Sequence, residues 1–180
     1  MKIALYCSAK DNLPDQWQQC AVNLGQWIAQ QGHTLVYGGV DAGLMATAAQ
    51  ATAQLGGHIV GVVPRRRADR VCRFNSETIH TADLSDRKRI MMLLSDIFVV
   101  LPGGYGTLDE FASTFSNISF TNATSKHIVL VNLQGIFDPI LDQLRLMAKH
   151  GLADARQMKH ITVVNSIDDL FTELNRLSNQ

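Results

Sequence analysis

The most distinctive segment of the chain, at residues 102–110, reads Pro-Gly-Gly-Tyr-Gly-Thr-Leu-Asp-Glu and ends on a carboxylate. It follows Ile97–Leu101, an apolar run typical of a buried strand, and the pattern predicts a helix that begins near Leu108. Glycines in such a turn let backbone N–H groups converge, and the helix N-terminus adds unpaired donors and a partial positive charge. The segment therefore predicts a phosphate-binding turn, although a strand-to-helix turn without a ligand has the same local pattern.

The carboxylate of Glu110 has two interpretations at this stage. Thr107 and Glu110 have the T-x-x-E spacing of a capping box, in which the glutamate accepts a hydrogen bond from the backbone N–H of the threonine. Alternatively, the carboxylate acts on a ligand held by the glycine turn. The local sequence leaves both interpretations open.

A basic cluster, Arg87-Lys88-Arg89, favours the second interpretation. It stands near the start of a predicted helix, Ser85–Leu94, where cations oppose the helix dipole unless an anion lies nearby. This helix leads directly into the strand before the glycine turn, so the cations and the turn are expected in one neighbourhood. A solvated basic face is the alternative.

Two other turns after predicted strands have related features. Residues 37–45 read Tyr-Gly-Gly-Val-Asp-Ala-Gly-Leu-Met, and Cys7-Ser8-Ala9-Lys10 supplies a hydroxyl and a cation, both suited to phosphate. The GxGxxG dinucleotide fingerprint is missing, because it would need glycine where Asp109 stands, and so is the GK[ST] of a P-loop. A nicotinamide-dependent oxidoreductase is therefore disfavoured.

Short apolar runs alternate with longer helical patterns along the chain. Strands are predicted at residues 3–7, 33–37, 59–63, around 79, 97–101, 128–131 and 161–164, and helices at 14–31, 44–55, 85–94, from 108, 139–150 and 167–177. Strands separated by helices imply parallel pairing with both sheet faces covered. We expect an α/β fold, a Rossmann-like doubly wound parallel sheet in a three-layer α/β/α sandwich, forming one domain over residues 1–180. Ligands of such sheets bind outside the carboxyl ends of the strands.

The charges balance globally but not locally. The 180 residues include 16 Lys and Arg and 16 Asp and Glu, so the formal net charge is zero, which argues against a globally basic nucleic-acid binder or a polybasic membrane protein. Residues 65–89, however, hold 8 of the 16 basic side chains and 4 acidic ones, a local excess of +4. This basic segment suits one small phosphorylated molecule better than a nucleic acid.

Several further classes of protein are disfavoured by composition. The 3 cysteines form no CxxC and no run of 18 apolar residues occurs, so we expect a cytoplasmic protein with no membrane partner. The 6 histidines are widely spaced, with no HExxH motif, so no metal site is predicted. A Ser-His-Asp hydrolase would need a GxSxG elbow, which is absent.

The combination of these motifs resembles the lonely-guy family. Its hallmark, an Arg-Lys pair followed by PGGxGTxxE, corresponds to Arg87-Lys88 and Pro102–Glu110. Further matching blocks are Tyr37-Gly38-Gly39 with Gly43-Leu44-Met45, and Gly56-Gly57 leading to Gly61-Val62-Val63-Pro64. The resemblance extends from residue 2 to about residue 174. Members often carry the label lysine decarboxylase, but nothing in this sequence marks a lysine that would hold pyridoxal phosphate.

The resemblance implies a cytokinin riboside 5′-monophosphate phosphoribohydrolase, an N-glycosidase of cytokinin biosynthesis that releases base and ribose 5-phosphate. It implies that Arg87 and Glu110 are catalytic. The residues that it implies around the nucleoside monophosphate are Ser8, Gly39, Lys88, Gly103, Gly104, Gly106 and Thr107. It further implies no metal, no cofactor, and a homodimer or larger assembly with sites near the subunit interface.

The chain departs from the family in the helix after the glycine turn. Family members generally carry glutamate at the position of Ser113 and tryptophan near Asn117, and the whole of residues 111–126 has diverged. This segment shapes the base pocket in the family, so AMP, an N6-substituted AMP or another nucleoside monophosphate stays open as the substrate. A non-catalytic carrier of a phosphorylated ligand, similar to molybdenum-cofactor carriers, is the alternative function.

Overall fold

The computed structural model describes residues 1–121, 123 and 125–179, so two positions of the diverged segment, 122 and 124, lie outside the described residues. Its centre is a 7-stranded sheet with the order β4-β3-β2-β1-β5-β6-β7 and parallel pairing throughout. The strands are β1 Lys2–Tyr6, β2 Thr34–Tyr37, β3 His58–Pro64, β4 Glu77–Thr81, β5 Ile97–Val100, β6 His127–Val131 and β7 Ile161–Val164.

Helices cover both faces of this sheet. They are α1 Asp15–Gln30, α2 Gly43–Gln54, α3 Leu84–Leu94, α4 Tyr105–Thr121, α5 Asp138–Lys149 and α6 Ile167–Ser178. One core cluster joins α1, α2 and α6 to one face of the sheet, and a second joins α3, α4 and α5 to the other face. The predicted Rossmann-like three-layer α/β/α sandwich is thereby confirmed.

Each central strand is apolar on both sides because both of its faces are covered. In β1, Ile3 and Leu5 belong to the first cluster and Ala4 and Tyr6 to the second, as the two-residue repeat of a strand requires. This explains why the strands appear in the sequence as continuous apolar runs rather than as alternating patterns.

The strand order reverses beside β1. The chain adds β2, β3 and β4 on one side of β1 and then returns through α3 to place β5 on the other side. The turns that follow β1 and β5 therefore diverge and leave a crevice at the carboxyl edge of the sheet, which is where doubly wound folds bind ligands.

Most predicted boundaries agree with the observed ones within two residues, but α4 differs. It begins at Tyr105, three residues before the predicted start at Leu108, and the N–H of Leu108 already donates to the carbonyl of Gly104 at 3.0 Å. The glycine turn is shorter than expected because Gly106 and Thr107 belong to the helix. The irregular stretch 64–76 contains a 3-10 segment, Arg65–Arg70, that is kinked at Arg67.

No helix within residues 1–121, 123 and 125–179 is both long enough and apolar enough to cross a membrane.

Candidate functional site

A cleft of about 430 Å³ lies at the carboxyl edge of the sheet, where the strand order reverses. It is lined by Leu5, Cys7, Ser8, Ala9, Lys10, Gly38, Met45, Arg87, Gly104, Tyr105, Gly106, Thr107 and Glu110. Of the nine site residues that the family resemblance implies, the structure brings six together in this wall: Ser8, Arg87, Gly104, Gly106, Thr107 and Glu110. Three others, Gly39, Lys88 and Gly103, lie outside the wall.

The start of α4 forms one side of the cleft. Because the first hydrogen bond of this helix runs from Leu108 to Gly104, the N–H groups of Tyr105, Gly106 and Thr107 have no partner inside the helix. All three of these residues line the cleft, so their donors and the positive end of the helix dipole are available to an anion. This arrangement is the one that the glycine-rich sequence predicts.

The glycines of the turn have different reasons for lacking a side chain. A Cβ at Gly103 would overlap the side chain of Thr107, which is only 3% exposed, so this glycine is needed for packing. A Cβ at Gly104 or Gly106 would meet no protein atom within 4 Å. The space beside these two glycines is open toward the cleft, which is what close approach of a ligand to the backbone requires.

This difference predicts opposite outcomes for two alanine variants. We expect Gly103→Ala to lower the free energy of unfolding by about 1–3 kcal/mol, because Thr107 has to move. Gly104→Ala is expected to leave the unfolding free energy within about 0.5 kcal/mol of wild type. It should nevertheless weaken binding of inorganic phosphate by about tenfold, because the added methyl group would occupy open space beside the N–H donors and keep the phosphate from one of these hydrogen bonds.

Denaturant unfolding and calorimetric titration of phosphate measure these two quantities. Unchanged phosphate affinity in Gly104→Ala would contradict an anion site at the start of α4.

Glu110 does not act as a helix cap. Thr107 lies inside α4 rather than at its N-cap, and the carboxylate of Glu110 instead accepts a hydrogen bond from the Nη2 of Arg87 in a close ion pair. The capping-box interpretation is therefore wrong, because the helix starts earlier than predicted. The pair joins α3 to α4 across the cleft, and both side chains are largely buried, at 14% and 8% exposure.

The surroundings of Glu110 change its acidity. Burial raises the pKa of Glu110 to about 7, although the Arg87 guanidinium opposes this effect, and the nearby Asp109 carboxylate adds to it. A carboxyl group with a pKa near neutrality can exchange a proton under physiological conditions. The residue is therefore suited to chemistry as well as to pairing.

Lys88 contacts α4 but does not line the cleft. Its Nζ donates to both carboxylate oxygens of Asp109, at 2.6 and 2.7 Å, and to the Oγ of Ser113 at 3.1 Å. It thus links α3 to α4 a second time. A role in substrate binding stays a prediction for this lysine.

Gly39 is needed for the backbone conformation and close packing of the second glycine turn, residues 37–45. Its φ is +70°, and a Cβ there would overlap Val63 and the backbone of Gly61 in β3. Gly38, its neighbour, is the residue of this turn that lines the cleft, beside the guanidinium of Arg87. Ligand contact by Gly39 likewise stays a prediction.

Lys10, whose cation the turn after β1 offers to a phosphate, lines the cleft, although it is not among the residues that the family resemblance implies around the substrate. The Oγ of Ser8 accepts a hydrogen bond from the Lys10 N–H at 3.0 Å, and Leu44 N–H donates to the Ser8 carbonyl at 3.0 Å. A Cβ at Gly43 would overlap the backbone of residues 9 and 10, so this turn is packed against the start of α2. No carboxylate lies within 4 Å of Lys10 in the described structure, in contrast to Arg87 and Lys88. The sequence feature that indicates a role for Lys10 in this site is its position in the turn directly after a buried strand.

Cys7, also in the wall, is not equipped as a nucleophile. Burial raises the pKa of the Cys7 thiol well above its ordinary value, with a smaller contribution from Glu110. The thiol therefore stays protonated near neutral pH and forms a small apolar surface. The described residues contain no group of three or more His, Cys, Asp or Glu side chains placed to hold a metal ion.

Comparisons with known proteins agree with the glycine and Arg-Lys motifs. The family model described as "Possible lysine decarboxylase" matches residues 45–174. The chain is 34% identical over 169 residues to the cytokinin riboside 5′-monophosphate phosphoribohydrolase of Mycobacterium tuberculosis, covering 93% of this chain and 89% of that protein. It is 31% identical over 161 residues to the enzyme of the same name, LOG, from Oryza sativa subsp. japonica, covering 87% of this chain but only 66% of that protein.

Among solved structures, the molybdenum cofactor carrier protein of Chlamydomonas reinhardtii has a similar fold. The TM-score is 0.76 at 22% sequence identity, over 99% of this chain and 98% of that one. This likeness supports the fold alone.

Proposed function

Because the chain belongs to the lonely-guy family of phosphoribohydrolases, whose members are also described as possible lysine decarboxylases, we propose that it hydrolyses a nucleoside 5′-monophosphate. The bond broken would be the N-glycosidic bond between C1′ of the ribose and the base, and the products would be free base and ribose 5-phosphate. AMP or an N6-substituted AMP of the cytokinin riboside type is the proposed substrate.

The 5′-phosphate would bind at the start of α4. The unpaired N–H groups of residues 105–107 and the open space beside Gly104 and Gly106 can accommodate its oxygens. Ser8 and Lys10 face them from the other side of the cleft, and the Lys10 ammonium supplies a positive charge that no carboxylate in the described structure neutralises. The phosphate would thereby fix the ribose near the ion pair.

The chemistry would take place beside Glu110. As the C1′–N bond breaks, positive charge develops on the ribose, and a carboxylate close to it stabilises that charge. Glu110 would also accept a proton from the attacking water, whose oxygen forms the new bond to C1′, while the base leaves with the electron pair and takes up a proton. Arg87 would hold the carboxylate in place and bind a ribose hydroxyl with its remaining N–H groups.

One observation carries this proposal: the buried Arg87–Glu110 pair lies in the same cleft as the unpaired N–H groups of α4. The direct test is to incubate the purified protein with AMP and with isopentenyl-AMP and to measure ribose 5-phosphate. Release from either substrate at catalytic rates would support the proposal. Tight binding of both without any product would refute it.

The acidity of Glu110 predicts how the rate depends on pH. Since the pKa of Glu110 is about 7, the ionised fraction, and with it kcat/KM, should fall about tenfold per pH unit below pH 7 and level off above it. Initial rates measured from pH 5 to pH 9 in buffers of constant ionic strength test this. A profile that is flat between pH 5 and pH 7 would show that ionisation of Glu110 does not limit the rate.

A carrier of a phosphorylated ligand is the second candidate. The solved structure with a similar fold is named as a molybdenum cofactor carrier, and the diverged segment 111–126 follows Glu110 directly in the sequence. A carrier would bind its ligand through the same donors of α4 but would not need a carboxylate with a pKa near 7. The ribose 5-phosphate assay separates the two functions.

Assembly into a homodimer or larger oligomer and a cytoplasmic location also remain proposals. Large apolar side chains are exposed at Leu93 and Phe120, at 66% and 91%, and a second copy of the chain could cover them.

A further inference from the structure

The structure divides the basic segment 65–89 into two groups with different surroundings. Arg87, Lys88 and Arg89 each pair with a carboxylate, from Glu110, Asp109 and Asp86 respectively. The other group consists of Arg65, Arg66, Arg67, Arg70 and Arg73. Within residues 1–121, 123 and 125–179, none of these five arginines has a carboxylate within 4 Å, and all five are exposed. Residues 65–73 therefore form the densest run of unpaired cations along the described residues, with Asp69 as the one acidic residue among them.

Two of these arginines line a second cleft. Its volume is about 590 Å³, and its wall consists of Pro64, Arg66, Arg67, Ala82, Asp83, Leu84 and Ser85. None of these residues lines the first cleft. The second cleft lies at the carboxyl ends of β3 and β4, and β2 and β1 separate these two strands from β5 in the sheet. It is thus a separate cavity at the same edge of the sheet.

The backbone of the arginine segment is held in place without the help of its guanidinium groups. Asp41 N–H donates to the Arg70 carbonyl at 3.0 Å, and Cys72 N–H donates to the Gly39 carbonyl at 2.8 Å. Val40 and Val71 form an antiparallel bridge between these contacts. Arg73 lies over the Phe74 ring at 4.9 Å, whereas Arg66 and Arg67 make no ion pair within residues 1–121, 123 and 125–179.

The wall of the second cleft combines charge with apolar surface. Guanidinium groups bind phosphate oxygens through two parallel hydrogen bonds. Residues 65–73 carry five arginines against the single carboxylate of Asp69, a local excess of positive charge that attracts an anion. Asp83, the one carboxylate in the wall, already accepts a hydrogen bond from Asp86 N–H at 2.8 Å. Pro64, Ala82 and Leu84 form the apolar part, and Leu84 is 57% exposed. Such a wall fits a small organic anion rather than an extended polymer.

We propose that the second cleft binds a small molecule with a phosphate or phosphoanhydride group, held by Arg66 and Arg67. This site is separate from the first cleft and does not depend on the activity proposed for it.

The test is calorimetric titration of inorganic pyrophosphate into the wild-type protein, into the double variant Arg66→Ser/Arg67→Ser, and into Arg145→Ser. Arg145 serves as the control because it is also an exposed arginine, but it lies on α5, is paired with Asp142 and is distant in sequence from the second cleft. We expect the double variant to bind pyrophosphate at least about tenfold more weakly, or to lose one of two binding events, because each guanidinium contributes charge-assisted hydrogen bonds. The control should bind like wild type.

Three results would overturn the proposal. The first is unchanged pyrophosphate binding in the double variant, and the second is equal weakening in Arg145→Ser, which would indicate a general effect of net charge. The third is binding of a fluorescent single-stranded oligonucleotide more tightly than pyrophosphate with the same dependence on Arg66 and Arg67, which would indicate a nucleic-acid surface.

Release of ribose 5-phosphate from AMP, measured in the same three proteins, reports on the first cleft alone. Equal rates in all three are expected, and a loss of activity in the double variant would place the arginines in the first site and refute a separate one. If the wild type releases no product, the function proposed for the first cleft fails, while the titration still decides the second.

Discussion

Replacing Glu110 by glutamine is expected to abolish hydrolysis of the nucleoside monophosphate while the fold survives. We expect kcat to fall by about 100-fold to 10,000-fold, the range typical for the loss of a positioned acid or base. Glutamine has the shape of glutamate but carries no charge, so it neither stabilises positive charge on the ribose nor accepts a proton from water. Its amide oxygen can still accept a hydrogen bond from Arg87, which preserves the contact between α3 and α4.

Two further measurements separate a catalytic effect from a structural one. AMP affinity should change by only a few-fold, because the phosphate donors of α4 remain. The stability of wild type relative to the variant should fall as pH rises, since a carboxyl whose pKa is raised in the fold contributes stability below pH 4.5 that is lost as pH passes through about 7.

Glu173→Gln is the matched control for this variant. Glu173 is also a largely buried carboxylate in an ion pair, with Arg176, but it lies on α6. We expect its activity to equal that of wild type. If Glu110→Gln kept nearly full activity, Glu110 would be only the structural partner of Arg87, and the hydrolase proposal would lose its catalytic group.

Replacing Arg87 by methionine is expected to have the second largest effect. Methionine fills a similar volume but leaves Glu110 buried without its positive partner, so the pKa of Glu110 should rise above 7, because the guanidinium lowers it in the wild type. At pH 7 we expect kcat/KM to fall by about 100-fold or more, the cost typical of losing a preorganised electrostatic contact.

A shift of the pH profile distinguishes this mechanism from simple loss of structure. The acidic limb of kcat/KM should move to higher pH in Arg87→Met, so that part of the lost activity returns at pH 9. Arg89→Met serves as the control, since Arg89 is two residues away on α3, 64% exposed, and paired at the surface with Asp86. An unshifted profile in Arg87→Met would mean that the arginine does not control the ionisation of Glu110.

The fold was predictable because its signals are local. Each central strand is buried on both faces, so a run such as Ile97–Val100 is apolar at every position, and many of the turns between elements contain glycine or proline. The start of α4 was placed three residues late because glycines at 104 and 106 have low helix propensity. In the structure, no protein atom lies within 4 Å of the place where a Cβ of either glycine would stand. A residue with a higher helix propensity would fill part of this open space.

The residue types of the candidate site were predictable from the sequence, but the contacts between its side chains were not. The sequence places Arg87 and Glu110 on separate helices 23 positions apart, and only the packing of α3 against α4 shows that they form one buried pair. Lys88 and Gly103 belong to the same motifs, yet packing directs one toward Asp109 and leaves the other no room beside Thr107. Which motif residues face a cleft depends on helix rotation, which spacing along the chain does not specify.

From the sequence alone, the parallel sheet, the glycine turn before α4 and the expected ligand edge of the sheet were predictable, because hydrophobic periodicity and glycine content act within a few residues. The sequence also located the excess of positive charge in residues 65–89. Only the tertiary structure decided which of those charges are neutralised, since ion pairs form between side chains that are distant along the chain. It leaves Lys10 in the first cleft and Arg66 and Arg67 in the second as cations without a carboxylate partner among the described residues.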